Sequence, residues 1–169
     1  MRRLGRASGA LGLAIVMTSA LTTGSASARP SARVGRTRVA LRVVEQYVEA
    51  FNNGDAKLAA AQFSRDATLT TPVGGCTPCV GRDTIEQKLA GAISSQAHLS
   101  IRAPRVTRDQ VTVKSTLRSP QFPPEVTRAI GTFSATVRHR RIVTATQTYD
   151  RNDPQTAALL AAVGSQGTS

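Results

Sequence analysis

The sequence predicts an α+β domain in which helices pack on one face of a curved antiparallel sheet, and three observations carry that prediction. Apolar residues recur at steps of three and four from Leu41 to Phe51 and again from Ile85 to Ile93, the period of a helix with one buried face. From Leu99 to Tyr149 the period is two, that of a strand. Turn residues and a proline-rich loop divide this second half into neighbouring runs, so helices and strands are segregated along the chain.

The N-terminal stretch stands outside that pattern. It carries Arg2, Arg3 and Arg6, an apolar run from about Ala10 to Leu21, and Ala26-Ser27-Ala28 ahead of Arg29-Pro30. Together these parts read as a signal peptide over residues 1–28. The apolar run is too short for a hydrocarbon core of ~30 Å, so no stable membrane anchor is expected. No cysteine follows the small residues to accept a lipid. A secreted or cell-envelope protein is the expectation.

Of the 169 residues, 141 remain once residues 1–28 are removed, enough for one domain with a core. The full chain has 22 basic and 10 acidic residues; three arginines leave with the leader, so the remainder has a net charge of +9. The arginines gather at Arg29–Arg42, Arg102–Arg108 and Arg138–Arg141. There is no Trp and no run alternating basic with aromatic residues, so no nucleic acid partner is expected. The basic balance reads as a solvated face.

Residues 29–37 combine Pro, Gly, Ser and arginines without an apolar period and predict a flexible basic leader. Leu41, Val44, Val48 and Phe51 then form one helix face, and Asn53-Gly54 ends the helix as a left-handed cap requires. Asp55 caps a second, short helix to about Phe63, with Leu58, Ala61 and Gln62 on adjoining faces. Residues 66–74 alternate and carry threonines, a strand stopped by Pro72 and Gly74-Gly75. A loop holding Cys76 and Cys79 follows. Asp83 and Glu86 have the spacing of a capping box for a third helix over about 83–95.

Leu99, Ile101 and Ala103 predict one strand, and Val111, Val113, Ser115 and Leu117 its partner across Arg108-Asp109. After the proline-rich loop 119–125, Phe133, Ala135 and Val137 alternate, residues 138–141 turn, and 142–150 return. Asp153-Pro154 opens a short terminal helix to about Ala162, and residues 164–169 predict a disordered tail.

Three strings carry a family resemblance: "VVEQYVEAFNNGD" (43–55), "FSRDATLTTPVGG" (63–75) and "GRDTIEQKL" (81–89). In this order and spacing they resemble the NTF2-like superfamily, which includes SnoaL-like polyketide cyclases and ketosteroid isomerases. The resemblance spans Arg38–Asp150, within a domain expected at 38–163. It implies an NTF2-like α+β barrel, a cone of sheet wrapped around the N-terminal helices with a pocket opening into it. Tyr47 stands where the isomerases carry their oxyanion tyrosine, which makes it a ligand contact, and an oxyanion-type donor if the protein is an enzyme. Thr71 stands where their aspartate base precedes Pro-Val-Gly, and the stretch 129–137 lacks their second acid. Two of three catalytic groups are absent, so ketosteroid isomerase activity is not expected.

Thr71 and His98 complete the candidate pocket contacts with Tyr47; His139, in a predicted turn, is a weaker candidate still. No metal cluster, phosphate loop or cofactor motif is evident. Cys76 and Cys79 lack the strand-to-helix context of a redox pair and the further ligands of a zinc site, so an exported chain predicts a disulfide between them that stiffens their loop, which the resemblance implies lies near the pocket mouth. Three readings of function follow. The first is an exported domain that binds a small apolar molecule, lipid, steroid or polyketide-like, in its cone without isomerase activity. The second is a polyketide-cyclase or isomerase-like enzyme with a rearranged site. The third is an interaction module whose open sheet face forms a homodimer or docks a partner protein.

Overall fold

The computed structural model describes residues 30–166. The expected signal peptide, residues 1–28, and the last three residues of the expected tail lie outside the described residues. Helix α1 runs Pro30–Asn52, so residues 30–37 are helical rather than a flexible leader. Pro30 suits the first helical position, where its missing N–H costs nothing, and among the residues up to Arg38 only Gly35 strongly opposes a helix, by about 1 kcal/mol. The buried face of α1 is Val43, Val44, Tyr47, Val48 and Phe51, with Leu41 at its margin. Gly54, at φ 81°, ends the helix as expected, and the Asp55 amide bonds the Ala50 carbonyl at 3.0 Å.

Asp55 caps α2 (Ala56–Ala60), its carboxylate accepting from the Leu58 amide at 2.8 Å. Leu58 itself is exposed and the helix stops at Ala60, because Phe63 already belongs to β1 (Phe63–Thr71). β2 (Cys76–Val80) is a strand where a loop is expected; it pairs antiparallel with β1, Leu69 opposite Cys79. α3 (Arg82–Ser94) begins after Gly81, whose φ of 89° suits glycine, and not at an Asp83 capping box. Arg82 anchors this start instead, donating to the Phe63 carbonyl from Nε at 3.1 Å and Nη2 at 2.8 Å.

The rest is a meander of β3 (His98–Thr107), β4 (Gln110–Arg118), β5 (Ala129–Arg138) and β6 (Arg141–Tyr149), closed by α4 (Pro154–Gln166). His139 and Arg140, both with left-handed φ, form the two-residue turn that joins β5 to β6. α4 begins as expected: Asp153 Oδ1 accepts from the Thr156 amide at 2.9 Å. The helix passes residue 162 and takes in the start of the expected tail.

The sheet order is β2-β1-β6-β5-β4-β3, a curved and unclosed sheet with β2 and β3 as its edges. It is antiparallel except at β1·β6, which are parallel, Thr70 opposite Thr146. A parallel pair needs a long crossover, and here α3 and three strands of the meander supply it. Register shifts near Thr71, between Arg102 and Arg105 and at Thr136 mark bulges that bend the strands. Ala103, which alternation placed with Leu99 and Ile101, sits in one of them at φ 51° and is exposed. The main core lies between α1 and the sheet, around Val44, Phe63, Ile85, Val111, Phe133 and Ile142. A second cluster of Val126, Ala129, Tyr149 and Leu159 packs α4 against the ends of β5 and β6.

Candidate functional site

Tyr47 is fixed by three rings. Its own ring meets Phe63 edge-on at 5.4 Å, stacks on Phe133 at 5.6 Å and tilts toward Phe51 at 6.3 Å. The helix supplies Phe51 one turn on, and β1 and β5 supply the other two. So held, Tyr47 lines an inner cavity of about 70 Å³ together with Thr71, Gln147 and Tyr149. Apolar walls come from Phe51, Leu69, Leu99 and Phe133.

Tyr149 and Gln147 reach the cavity because β6 buries alternate residues from Ala145 onward. Gln147 is buried, its Nε2 donating to Ser115 Oγ on β4 at 2.8 Å. Thr71 donates its hydroxyl to the Val73 carbonyl at 2.8 Å. Burial pushes the Tyr47 hydroxyl well above the usual phenol range, and the nearby Tyr149 pushes it further. Burial also pushes Tyr149 up to about 12, partly offset by its hydrogen bond with Thr71. Both phenols therefore stay protonated at neutral pH. They can donate to a carbonyl or an oxyanion, but cannot take a proton from carbon there.

The inner cavity adjoins a second space. Val73, Gly74, Lys88, Ala92 and Leu117 line it and also line an outer groove of about 730 Å³. That groove runs between α3 and α4, with Phe122 and Pro123 of the β4–β5 loop and Leu159 and Val163 of α4 as apolar walls. Among the described residues, no carboxylate or histidine lines either space. No group of three or more His, Cys, Asp or Glu among them is placed to hold a metal.

Of the residues expected at the site, Tyr47 and Thr71 are brought together. His98 is not: it is exposed at the start of β3, opposite Arg118, and lines neither space. Its neighbour Leu99 is the buried one, so strand alternation turns His98 away. His139 lies in its turn among the arginines, bordering two surface grooves at the far end of the sheet. Cys76 and Cys79 stand at bonding distance, 2.04 Å between sulfurs, in β2 rather than in a loop, and Cys76 lines the inner cavity. Sequence reasoning missed Tyr149, Gln147 and Lys88. The parity of β6 beyond Ala145 was the signal for the first two.

Solved structures share this fold. A protein from Sphaerobacter thermophilus is 23% identical, with a TM-score of 0.55 over 66% of this chain and 95% of its own. A candidate polyketide cyclase from Xanthomonas campestris pv. campestris is 20% identical, with a TM-score of 0.56 over 74% of this chain and 98% of its own. A candidate ketosteroid isomerase from Kribbella flavida is 14% identical, with a TM-score of 0.56 over 68% and 79% of the two chains. Identities this low show the fold and leave the chemistry to the site. No curated protein matches the chain in sequence. A family model does, over residues 44–153, from the buried face of α1 to the cap of α4: the chain belongs to the SnoaL-like domain family of the NTF2-like superfamily.

Proposed function

We propose that the domain binds a small molecule with an apolar body and a hydrogen-bond-accepting end, and that it does so without ketosteroid isomerase chemistry. One observation carries this reading: an outer groove of about 730 Å³ shares Val73, Gly74, Lys88, Ala92 and Leu117 with an inner cavity lined by two buried tyrosines. The inner space is large enough for a few atoms only, whereas the groove falls in the size range of ligand pockets, ~300–1,000 Å³. An acceptor such as a ketone oxygen would take a hydrogen bond from Tyr47 or Tyr149, and the body would lie against Phe122, Leu159 and Val163. Isomerisation also needs a base, and the lining offers Thr71 where the isomerases carry an aspartate.

The test compares 2-acetylnaphthalene with 2-ethylnaphthalene by fluorescence titration. A net hydrogen bond of about 1 kcal/mol makes the ketone roughly fivefold tighter. Tyr47→Phe and Tyr149→Phe should each reduce that advantage. Failure of both compounds to bind, or equal affinity in the wild type, would overturn the reading.

We also propose that the protein works outside the cytoplasm. The tripartite N-terminal sequence supports this, and so does a cysteine pair at bonding distance, since disulfides persist in oxidising compartments. Mass spectrometry of the natively expressed protein should find Arg29 at the N-terminus; retention of Met1 would rule out cleavage.

A further inference from the structure

Lys88 occupies an unusual position for a surface lysine. It lies on α3 and lines both the inner cavity and the outer groove, and among the described residues it is the sole charged side chain lining either. No carboxylate among those residues pairs with it: the two ion pairs they form are Arg128–Asp153 and Arg138–Asp109. The ammonium rests beside the turn between β1 and β2, its Nζ 3.7 Å from where a Cβ on Gly75 would stand. Gly74 and Gly75 hold left-handed φ values of 92° and 70° there and bring no side chain to cover it. An uncompensated cation thus sits where two largely apolar spaces adjoin, and the other residues lining both are Val73, Gly74, Ala92 and Leu117.

We infer that the ligand class is acidic: an apolar molecule bearing a carboxylate or equivalent anionic group, held against Lys88 where the two spaces adjoin. The inference deepens the binding reading above and rests on it. An ammonium offers three donors and a compact charge that matches a single anionic group. Its exposure keeps the attraction modest, because water screens the pair. Charge here selects among ligands while the groove and the phenols supply the rest of the binding.

The experiment titrates the full mature chain with 6-acetyl-2-naphthoic acid and with its neutral primary amide, in low and high salt. The acid should bind about fivefold tighter at low salt, the factor expected of a screened contact pair, and lose most of that margin at 1 M salt. Lys88→Gln should abolish the preference of acid over amide. Lys114→Gln, on the sheet near Arg102 and away from both spaces, should leave the preference intact. Equal binding of acid and amide by the wild type would overturn the inference and spare the binding reading. So would a preference that survives Lys88→Gln, which would trace it to the positive charge of the whole chain. Binding of neither compound would remove both.

Discussion

At the scale of single residues, the two tyrosines tie the site to the pH dependence of the fold. Tyr149 is protonated up to about pH 12 in the folded chain and to about 10 when unfolded. The folded state therefore holds a proton in that window that the unfolded state has lost. Stability from this group is complete below pH 10 and falls as pH rises toward 12, by at most roughly 1.4 kcal/mol per pH unit. Tyr47 shifts the same way. Urea melts at pH 9 and pH 11 should show the wild type losing more stability across that interval than Tyr149→Phe; identical losses would mean that the phenol is solvated in the folded state. Residues like these were partly legible in the sequence. Tyr47 and Thr71 sat inside recognisable strings, whereas Tyr149 was one of several polar strand residues until its facing was known. His98 was misplaced for the same reason, since a strand's two faces are distinguishable only when the phase is fixed by a neighbour such as Leu99.

Elements explain what fixes that phase. A Cβ on Gly131 of β5 would stand 2.1 Å from the Thr148 carbonyl oxygen and 2.8 Å from Gln147 Nε2. Gly131 stands opposite Tyr149, and the close approach leaves no room for a side chain there. Gly131→Ala should cost about 2–4 kcal/mol in urea unfolding, in the range of overpacked sites, and should also weaken the ketone preference because both polar groups move. A near-neutral effect would show that β5 and β6 can separate freely at this point. The bond between Cys76 and Cys79 should act more weakly. Closing so short a ring contributes about 2 kcal/mol on the chain-entropy account, so the double serine variant should remain folded with a lowered urea midpoint. Global unfolding of that variant would mean that β2 depends on the bridge.

Helix and strand existence were largely legible because periods of 3.6 and 2 differ sharply over ten residues. Starts and stops were less so. Asp83 and Glu86 matched a capping box, yet Gly81 took the cap because the Arg82 guanidinium binds the Phe63 carbonyl, a contact 19 residues away in sequence. β2 was hidden by its cysteines and proline, and it forms by pairing with β1.

For the whole molecule, the one parallel ladder is decisive. The hairpin β1–β2 and the meander β3–β6 are each local, and within the sheet they meet solely where β1 lies beside β6. Loops of this length slow pairing, since closure entropy must be met before the contact forms. Pulsed hydrogen exchange during refolding should find amides of β1 that face β6 protected no earlier than those of β6 itself; earlier protection would point to a stable first half. The first helix is tied in as well: the Asn52 side chain at the end of α1 accepts from the Leu99 amide at 2.9 Å and donates to the Leu99 carbonyl at 2.8 Å.

That arrangement has a vectorial meaning. A chain threaded N-terminus first through a narrow channel would deliver α1 and the β1–β2 hairpin long before Tyr149. Until the last strand arrives, β1 has an open edge and the phenols have no common wall. Under the export proposed above, the polypeptide would stay pliable in transit, and the sheet would be completed on the far side by its final strand.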